Sequence, residues 1–332
     1  MKSRVDRWWY GTRRPLWLLW PLAWLYRVVA ERRKQRSLAS LALNQSLRVP
    51  VIVVGNITAG GTGKSPLTAW LVDALQREGW HPVILTRGYG GRAEQYPLKV
   101  TDSTPANVAG DEPVMLATMT GCPVVVDPRR FRGAQWAVEQ QLGDILVCDD
   151  GLQHYQLPRQ LEIAVFDGER GIGNGAPIPV GPLREPVSRL AEVDFVVFNG
   201  APATPLPVAQ LNTYVMRLEP RVLRHLDSGE TRELDWLEGK RVRAVAGIGN
   251  PSRFFNTLKA LGAKVQGISF SDHHRFRQND LDVEPGQILV MTAKDAVKCQ
   301  GFAHERCWVL EVAATMPPSF REALLLAVKS LH

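Results

Sequence analysis

Residues 49–75 read VPVIVVGNITAGGTGKSPLTAWLVDAL. The β-branched run Val51 to Val54, preceded by Pro50, predicts a buried parallel strand. Beyond Lys64, Leu67, Leu71 and Leu75 recur at a spacing of four with Trp70 and Ala74 beside them, which predicts one face of a helix. Between strand and helix lies a glycine-rich loop. This is the setting of a phosphate-binding loop, G-x-x-x-x-G-K-[ST]. Gly63, Lys64 and Ser65 complete that pattern, but Thr58 stands where its first glycine belongs. The physical case does not need that glycine. Gly60, Gly61 and Gly63 let the backbone from Thr58 through Ala59 and Thr62 curl, so that N–H groups converge in front of a helix N-terminus and make an anion site. Lys64 is expected to reach the β- and γ-phosphates and Ser65 to ligate magnesium. Pro66 falls in the first turn, where a missing N–H costs little. A tight turn with no ligand is the alternative, and it leaves the Lys-Ser pair without a packing reason.

Outward from this unit, buried strands alternate with helices. HPVILTRGYGG gives a strand from Pro82 to Leu85 and a glycine loop; GCPVVVDPRRFRGAQWAVEQQLG gives a strand from Val124 to Val126 and a helix from near Arg130. GDILVCDDGLQH gives a strand from Ile145 to Cys148, and LEIAVFDGERGIGNG and VDFVVFNG add two more. The pattern predicts an α/β fold, a P-loop NTPase-like parallel sheet with helices on both faces. Ligands then bind at the carboxyl ends of the strands. The phosphate loop, Arg87, Asp149, Asp150 and Asp167 all follow strand ends. The Pro-rich stretch APATPLPVA at 201–209 reads as a linker. Beyond it a second, smaller α/β lobe is expected, with strands in RVRAVAGIGN, Val265 to Phe270, GQILVMT and CWVLEV and a final amphipathic helix near Phe320 to Leu331. The expected domains are 1–36, 37–205 and 206–332.

The chain has 332 residues and a formal charge of +7, but the charge is localised. Residues 1–36 hold ten Lys or Arg against Asp6 and Glu31, so the body is close to neutral. That argues against nucleic acid as a partner. The same segment carries five of the ten tryptophans, Trp8, Trp9, Trp17, Trp20 and Trp24. Its uncharged run, Pro15 to Tyr26, is too short for the roughly 20 residues of a spanning helix. Arginines follow it where a signal peptide would have a cleavage site. The segment reads as an interfacial helix on an anionic membrane surface, with a core helix packed on the body as the alternative. The four cysteines, Cys122, Cys148, Cys299 and Cys307, lack metal or redox spacing and read as reduced core residues.

Several polar residues could carry chemistry. Asp149 and Asp150 close a hydrophobic strand, where P-loop proteins hold magnesium or its water. Asp111 and Glu112 of GDEP begin a helix, which also suits the helix dipole. Asp272, His273 and His274 of SDHH lie in a loop, with no third metal ligand at a suitable spacing. Arg87, Arg129 and Arg130 contact anions or are solvated. TAKDAVK is not a guanine signature, so ATP is the expected nucleotide.

Seven motifs, in chain order, resemble those of the tetraacyldisaccharide 4'-kinases of lipid A biosynthesis. They are GNITAGGTGKSP at 55–66, TRGYGG at 86–91, GDEP at 110–113, DDGLQH at 149–154, GPLREP at 181–186, SDHH at 271–274 and TAKDAVK at 292–298. Thr58 in the loop is typical of that family; Leu152 stands where Phe is expected. The resemblance covers nearly the whole chain. It implies transfer of the γ-phosphate of ATP, with Mg²⁺, to the 4'-hydroxyl of tetraacyldisaccharide 1-phosphate, giving lipid IVA. The site implied is the cytoplasmic face of the inner membrane, with the enzyme bound peripherally by its N-terminal helix. Asp111 would be the base and His273 its partner, ahead of His274. Ser65, Glu112, Asp149 and Asp150 would serve the metal. Gln153 and His154 would position phosphate or metal water, and Arg87 and Arg130 would hold the substrate's 1-phosphate or offset transition-state charge. With His273 in the second lobe, lobe closure is expected to bring it to Asp111. Two other functions fit the residues without the resemblance: a P-loop kinase of a soluble metabolite, and a nucleotide-hydrolysing membrane switch.

Overall fold

A computed structural model of the chain describes residues 4–11, 17–41, 47–101, 103–208 and 212–331. Residues 1–3 and 12–16 of the basic aromatic segment and residue 209 of the Pro-rich stretch lie outside the described residues. The chain forms two compact units. Unit one comprises 1–87, 127–217 and 315–332; unit two comprises 88–126 and 218–314. This division differs from the expected boundary at 205. Residues 88–126 group with the later part of the chain, and the C-terminal residues return to unit one.

Unit one opens with helices α1 (Arg4–Trp9) and α2 (Trp20–Leu41), then β1 (Val51–Gly55), α3 (Lys64–Arg77) and β2 (Pro82–Thr86). The chain next supplies the first piece of unit two: β3 (Leu98–Val100), α4 (Ala106–Ala109), α5 (Asp111–Thr120) and β4 (Val124–Val126). It returns to unit one with α6 (Arg130–Glu139), β5 (Ile145–Asp149), β6 (Leu161–Asp167) and β7 (Phe195–Asn199). Strand β8 (Thr213–His225) begins in unit one and ends in unit two. Unit two continues with β9 (Thr231–Arg232), β10 (Arg241–Ala246), α7 (Pro251–Ala260), β11 (Lys264–Ser269), β12 (Gln287–Thr292), α8 (Ala293–Ala296) and β13 (Cys307–Thr315). Helix α9 (Pro318–Lys329) belongs to unit one.

The sheet of unit one is parallel, in the order β8-β7-β6-β1-β5-β2. Its central strands are the continuous apolar runs of the sequence. Val51 to Val54 have no exposed surface, and all of β5, β6 and β7 is buried, as strands covered on both faces require. Leu67, Leu71 and Leu75 bury the inner face of α3, each contributing about 1.5–3 kcal/mol. In unit two, β11-β10-β12-β13 are parallel, while β3 and β4 form an antiparallel pair. All four cysteines are buried and unbridged. No strand is foreseen from the sequence over 213–225. Pro220 and the charges interrupt the apolar run there.

Helix α2 has two characters. One narrow stripe docks on unit one: Ala23 is fully buried with Ala176 and Val180, the Tyr26 hydroxyl donates to the Arg184 carbonyl (3.4 Å), and Lys34 pairs with Glu192 (3.3 Å). The remainder presents Leu22, Trp24 and Leu25 to solvent, as the short turn before the helix presents Leu18, each more than half exposed. No described helix is long and apolar enough to cross a membrane.

Helix α9 is held by aromatic packing. Phe320 is fully buried, with ring centroids 5.4 Å from Trp70, 5.6 Å from Phe195 and 5.0 Å from Tyr214. Truncating it leaves a cavity under the sheet. Phe320→Ala is expected to cost about 3–5 kcal/mol in urea-induced unfolding. A loss below about 1 kcal/mol would mean that the C-terminal helix is not part of this core.

Candidate active site

The phosphate loop explains its own departure from pattern. Thr58 is fully buried and forms an antiparallel bridge with Leu183, while the flanking groups join the same segment: Ala59 N–H donates to the Pro182 carbonyl (2.7 Å) and Arg184 N–H to the Ile57 carbonyl (2.7 Å). Thr58 keeps a negative φ, so no glycine is needed there. The left-handed turns fall at Gly60 (φ 107°) and Gly63 (φ 97°). Gly63 is also the residue before α3, and a Cβ on it would stand 2.5 Å from Asn199 Nδ2. Asn56 braces the loop from within, donating to the Gly60 carbonyl (3.4 Å) and Thr62 Oγ1 (3.3 Å), and Asn199 donates to the Thr62 carbonyl (3.3 Å).

Parallel pairing sets the acids beside this loop. Val54 of β1 is in register with Asp149 of β5. Asp149 is fully buried; Thr68 donates to its Oδ1 (2.9 Å) and the Ser65 hydroxyl stands 3.5 Å from its Oδ2. Asp150 takes a left-handed backbone (φ 50°), an uncommon conformation for a non-glycine residue. Its carboxylate lies 3.5 Å from Lys64 Nζ and 3.4 Å from Arg184 Nη1. Burial alone would raise this carboxyl, but Lys64, Arg184 and Arg130 hold it down to about 2.

The neighbouring residues form a cationic wall. Arg130 is 3% exposed, and its Nη1 donates to the Asp127 carbonyl (2.8 Å); Arg87 is exposed. Burial, then the charges of Arg130 and Arg87, push His154 down to about 3, so its ring is neutral. Gln153 is a brace: its Nε2 donates to the Asn56 carbonyl (2.9 Å) and to Glu185 Oε1 (2.5 Å). Glu185 in turn accepts from the Tyr155 hydroxyl.

Unit two contains a second polar cluster. Asp111 and Glu112 occupy the first turn of α5, and Asp111 is only 6% exposed. His273, whose backbone is left-handed (φ 59°), points Nδ1 at Asp111 Oδ2 (3.0 Å), and its ring lies 4.7 Å from that of Tyr89. His274 is turned elsewhere, stacked on Phe270 and bonded to Asp280 (3.1 Å). Lys294 Nζ bridges Glu112 (2.9 Å) and Asp272 (3.1 Å), and Lys298 Nζ, anchored on Asp295 (2.7 Å), stands 3.9 Å from Asp111. Asp111 and His273 therefore meet inside one unit. The expectation that lobe closure joins them is corrected, because residues 88–126 fold with 218–314.

Charge settles the state of this pair. Burial would raise Asp111, but the His273 hydrogen bond and then Lys294 and Lys298 hold it below the ordinary 3.8. The Asp111 hydrogen bond raises His273 above its ordinary 6.5 against burial and Lys294. Asp111 contributes stability above pH 3.8 that is lost as pH falls through its depressed value. The contribution of His273 is complete below pH 6.5 and is lost as pH rises through its raised value. Asp111 is thus held in its carboxylate form at neutral pH.

The family model "Tetraacyldisaccharide-1-P 4'-kinase" matches residues 15–329. The chain belongs to the tetraacyldisaccharide 4'-kinase family. Tetraacyldisaccharide 4'-kinase of Hahella chejuensis is 45% identical over 97% of this chain and 95% of its own length. That of Alkalilimnicola ehrlichii is 48% identical over 94% and 92%. The crystal structure of "apo" form LpxK from Aquifex aeolicus in complex with ATP superposes with a TM-score of 0.78 at 28% identity, covering 94% of this chain and 98% of that one.

Within this kinase family member, Ser65, Asp149 and Asp150 fall in unit one, whereas Glu112, expected with them, falls in unit two and is held by Lys294. Among the described residues no group of three or more His, Cys, Asp or Glu side chains could hold a metal by itself. Four residues had no role assigned from the sequence: Lys294 and Lys298 of TAKDAVK, and Arg184 and Glu185 of GPLREP. Their motifs were the available signal, since each places a charge on a predicted site residue. In an NMR titration the His273 ring is expected to have its midpoint above 6.5, and Asp111→Asn to lower it. An unchanged midpoint in that variant would exclude the pair in solution.

Proposed function

We infer that this protein transfers the γ-phosphate of ATP to the 4'-hydroxyl of tetraacyldisaccharide 1-phosphate, the step that gives lipid IVA. The observation that carries the mechanism is the ionised Asp111 carboxylate, oriented by His273 and flanked by two lysines. Phosphoryl transfer asks little covalent work of a protein: a nucleotide clamp, charge compensation and a group that orients the attacking hydroxyl. The loop from Thr58 to Ser65 is the clamp, with Lys64 for the β- and γ-phosphates. Asp111 orients the sugar hydroxyl and accepts its proton late, when the oxygen has become acidic; a depressed pKa does not prevent this if hydrogen-bond reach is met.

Magnesium fits the donor set. A hydroxyl and a carboxylate oxygen 3.5 Å apart, Ser65 and Asp149, suit a hard cation that completes its shell with phosphate oxygens and water. Asp150 and Glu112 would serve through water. When bound, the ion offsets the charge of the triphosphate. Arg87 and Arg130 are proposed for the acceptor's 1-phosphate or for transition-state charge, and His154, being neutral, for a phosphate oxygen or metal water.

The reading extends to location. ATP is a cytosolic nucleotide and the acceptor a lipid, so the enzyme works peripherally on the cytoplasmic face of the inner membrane. The exposed Leu22, Trp24 and Leu25 of α2 and Leu18 just before it, with Arg27, Arg32 and Arg33 on the same helix, suit an anionic interface.

Incubated with γ-labelled ATP, Mg²⁺ and the tetraacyl disaccharide 1-phosphate in micelles, the wild type is expected to label the lipid and Lys64→Ala to lose this. Asp111→Ala should lower kcat about 10²–10⁴-fold. Label released only as free phosphate would return the acceptor to unknown and favour the hydrolytic switch. Flotation with anionic vesicles checks the location: paired Leu22→Glu and Trp24→Glu should reduce binding, and raised salt should weaken it further. Unchanged flotation would remove α2 from the interface.

A further inference from the structure

The N-terminal aromatic segment does more than face outward. Asn174 N–H donates to the Trp9 carbonyl (2.8 Å), Asn174 Nδ2 to the Trp8 carbonyl (3.3 Å) and Trp9 Nε1 to the Pro179 carbonyl (3.1 Å). Gly173 admits this contact: a Cβ there would stand 2.5 Å from the Trp9 carbonyl oxygen. The chain so anchored delivers Tyr10 to the phosphate loop, where its hydroxyl donates to the Ala59 carbonyl (3.1 Å). The other face of that contact is Arg170. Its guanidinium lies 5.0 Å from the centre of the Tyr10 ring, and its Nη1 is 3.9 Å from the position of a Cβ on Gly60.

Arg170 is delivered by the strand next to β1. Asp167 ends β6 and is 3% exposed; its Oδ1 accepts from the N–H groups of Glu169 (3.0 Å) and Arg170 (3.1 Å), fixing the turn. Since β6 pairs in parallel with β1, this turn leaves from the same edge as the phosphate loop. A guanidinium that lies 3.9 Å from where a Cβ on the exposed Gly60 of an anion-binding loop would stand has a natural ligand. Resting on this nucleotide reading, we propose that Arg170 binds the polyphosphate of ATP and that Tyr10 is its positioning residue, making the N-terminal segment a part of the nucleotide site. The aromatic face holds the guanidinium in one orientation by a cation–π contact, and the hydroxyl ties the same ring to the loop. Arg170 thereby adds a second cation to Lys64, on the glycine side of the loop.

The test is calorimetric ATP binding to the full chain in detergent with Mg²⁺ and no lipid acceptor, alongside the ligand-free Tm. Arg170→Ala is expected to weaken ATP about tenfold, the scale of one charge-assisted hydrogen bond, with the ligand-free Tm unchanged. Arg170→Lys should recover part of that loss. Tyr10→Ala should weaken ATP about threefold, and Tyr10→Phe, which keeps the ring, by less. If Arg170→Ala and Tyr10→Ala bind ATP as the wild type does while Lys64→Ala does not, the proposal fails and the nucleotide reading stands. Affinity lost in step with the ligand-free Tm, and not recovered in Arg170→Lys, would make Arg170 structural and also overturn it. A wild type that binds no ATP sinks both.

Discussion

The pairing of β1 with β5 is the constraint on which the nucleotide end depends. Parallel strands in register bring both carboxyl ends to one edge, so Val54 opposite Asp149 fixes the phosphate loop and the aspartates as neighbours. The rest follows from chemistry at that edge. Asp149 needs partners because it has no exposed surface, and Thr68 and Ser65 of α3 supply hydroxyls. Asp150 meets Lys64 and Arg184, and Arg184 comes from the segment whose backbone also bridges Thr58. One strand pair thus organises a loop, a helix and a distant turn.

The second cluster works on a different balance. A buried carboxylate is costly unless charges and hydrogen bonds compensate it, and Asp111 has His273, Lys294 and Lys298 for that purpose. The lysines are themselves held, by Glu112, Asp272 and Asp295. Two of the three non-glycine residues with left-handed backbone among the described residues are Asp150 and His273, one in each cluster. Such conformations cost energy and persist where the surroundings over-determine them.

Much of this was legible in the sequence, for physical reasons. Strands covered on both faces must be apolar throughout, so Val51 to Val54 and LEIAVF declare themselves, and the glycine loop lies between period two and period 3.6. What was not legible is non-local. Thr58 fits because Leu183 bridges to it, and no local pattern contains Leu183. Asp111 and His273 look like a helix-start acid and a loop histidine until the chain folds them together; only the family resemblance joined them beforehand. The unit boundary misled because the proline-rich stretch near 201–208 is the visible change of composition. The insertion of 88–126 between β2 and α6 carries no such mark.

That insertion has a consequence for synthesis. Asp111 and its partner are separated by 162 residues. At about 5–20 residues per second the ribosome needs about 8–30 s to deliver His273 after Asp111 has emerged. For most of that interval, until β10 is made, the first piece of unit two has none of β10 to β13 to fold upon, while β1, α3, β2, α6 and β5 become available to one another early. The edge that carries the phosphate loop can therefore assemble first, and Asp111 remains without its imidazole until most of the chain exists.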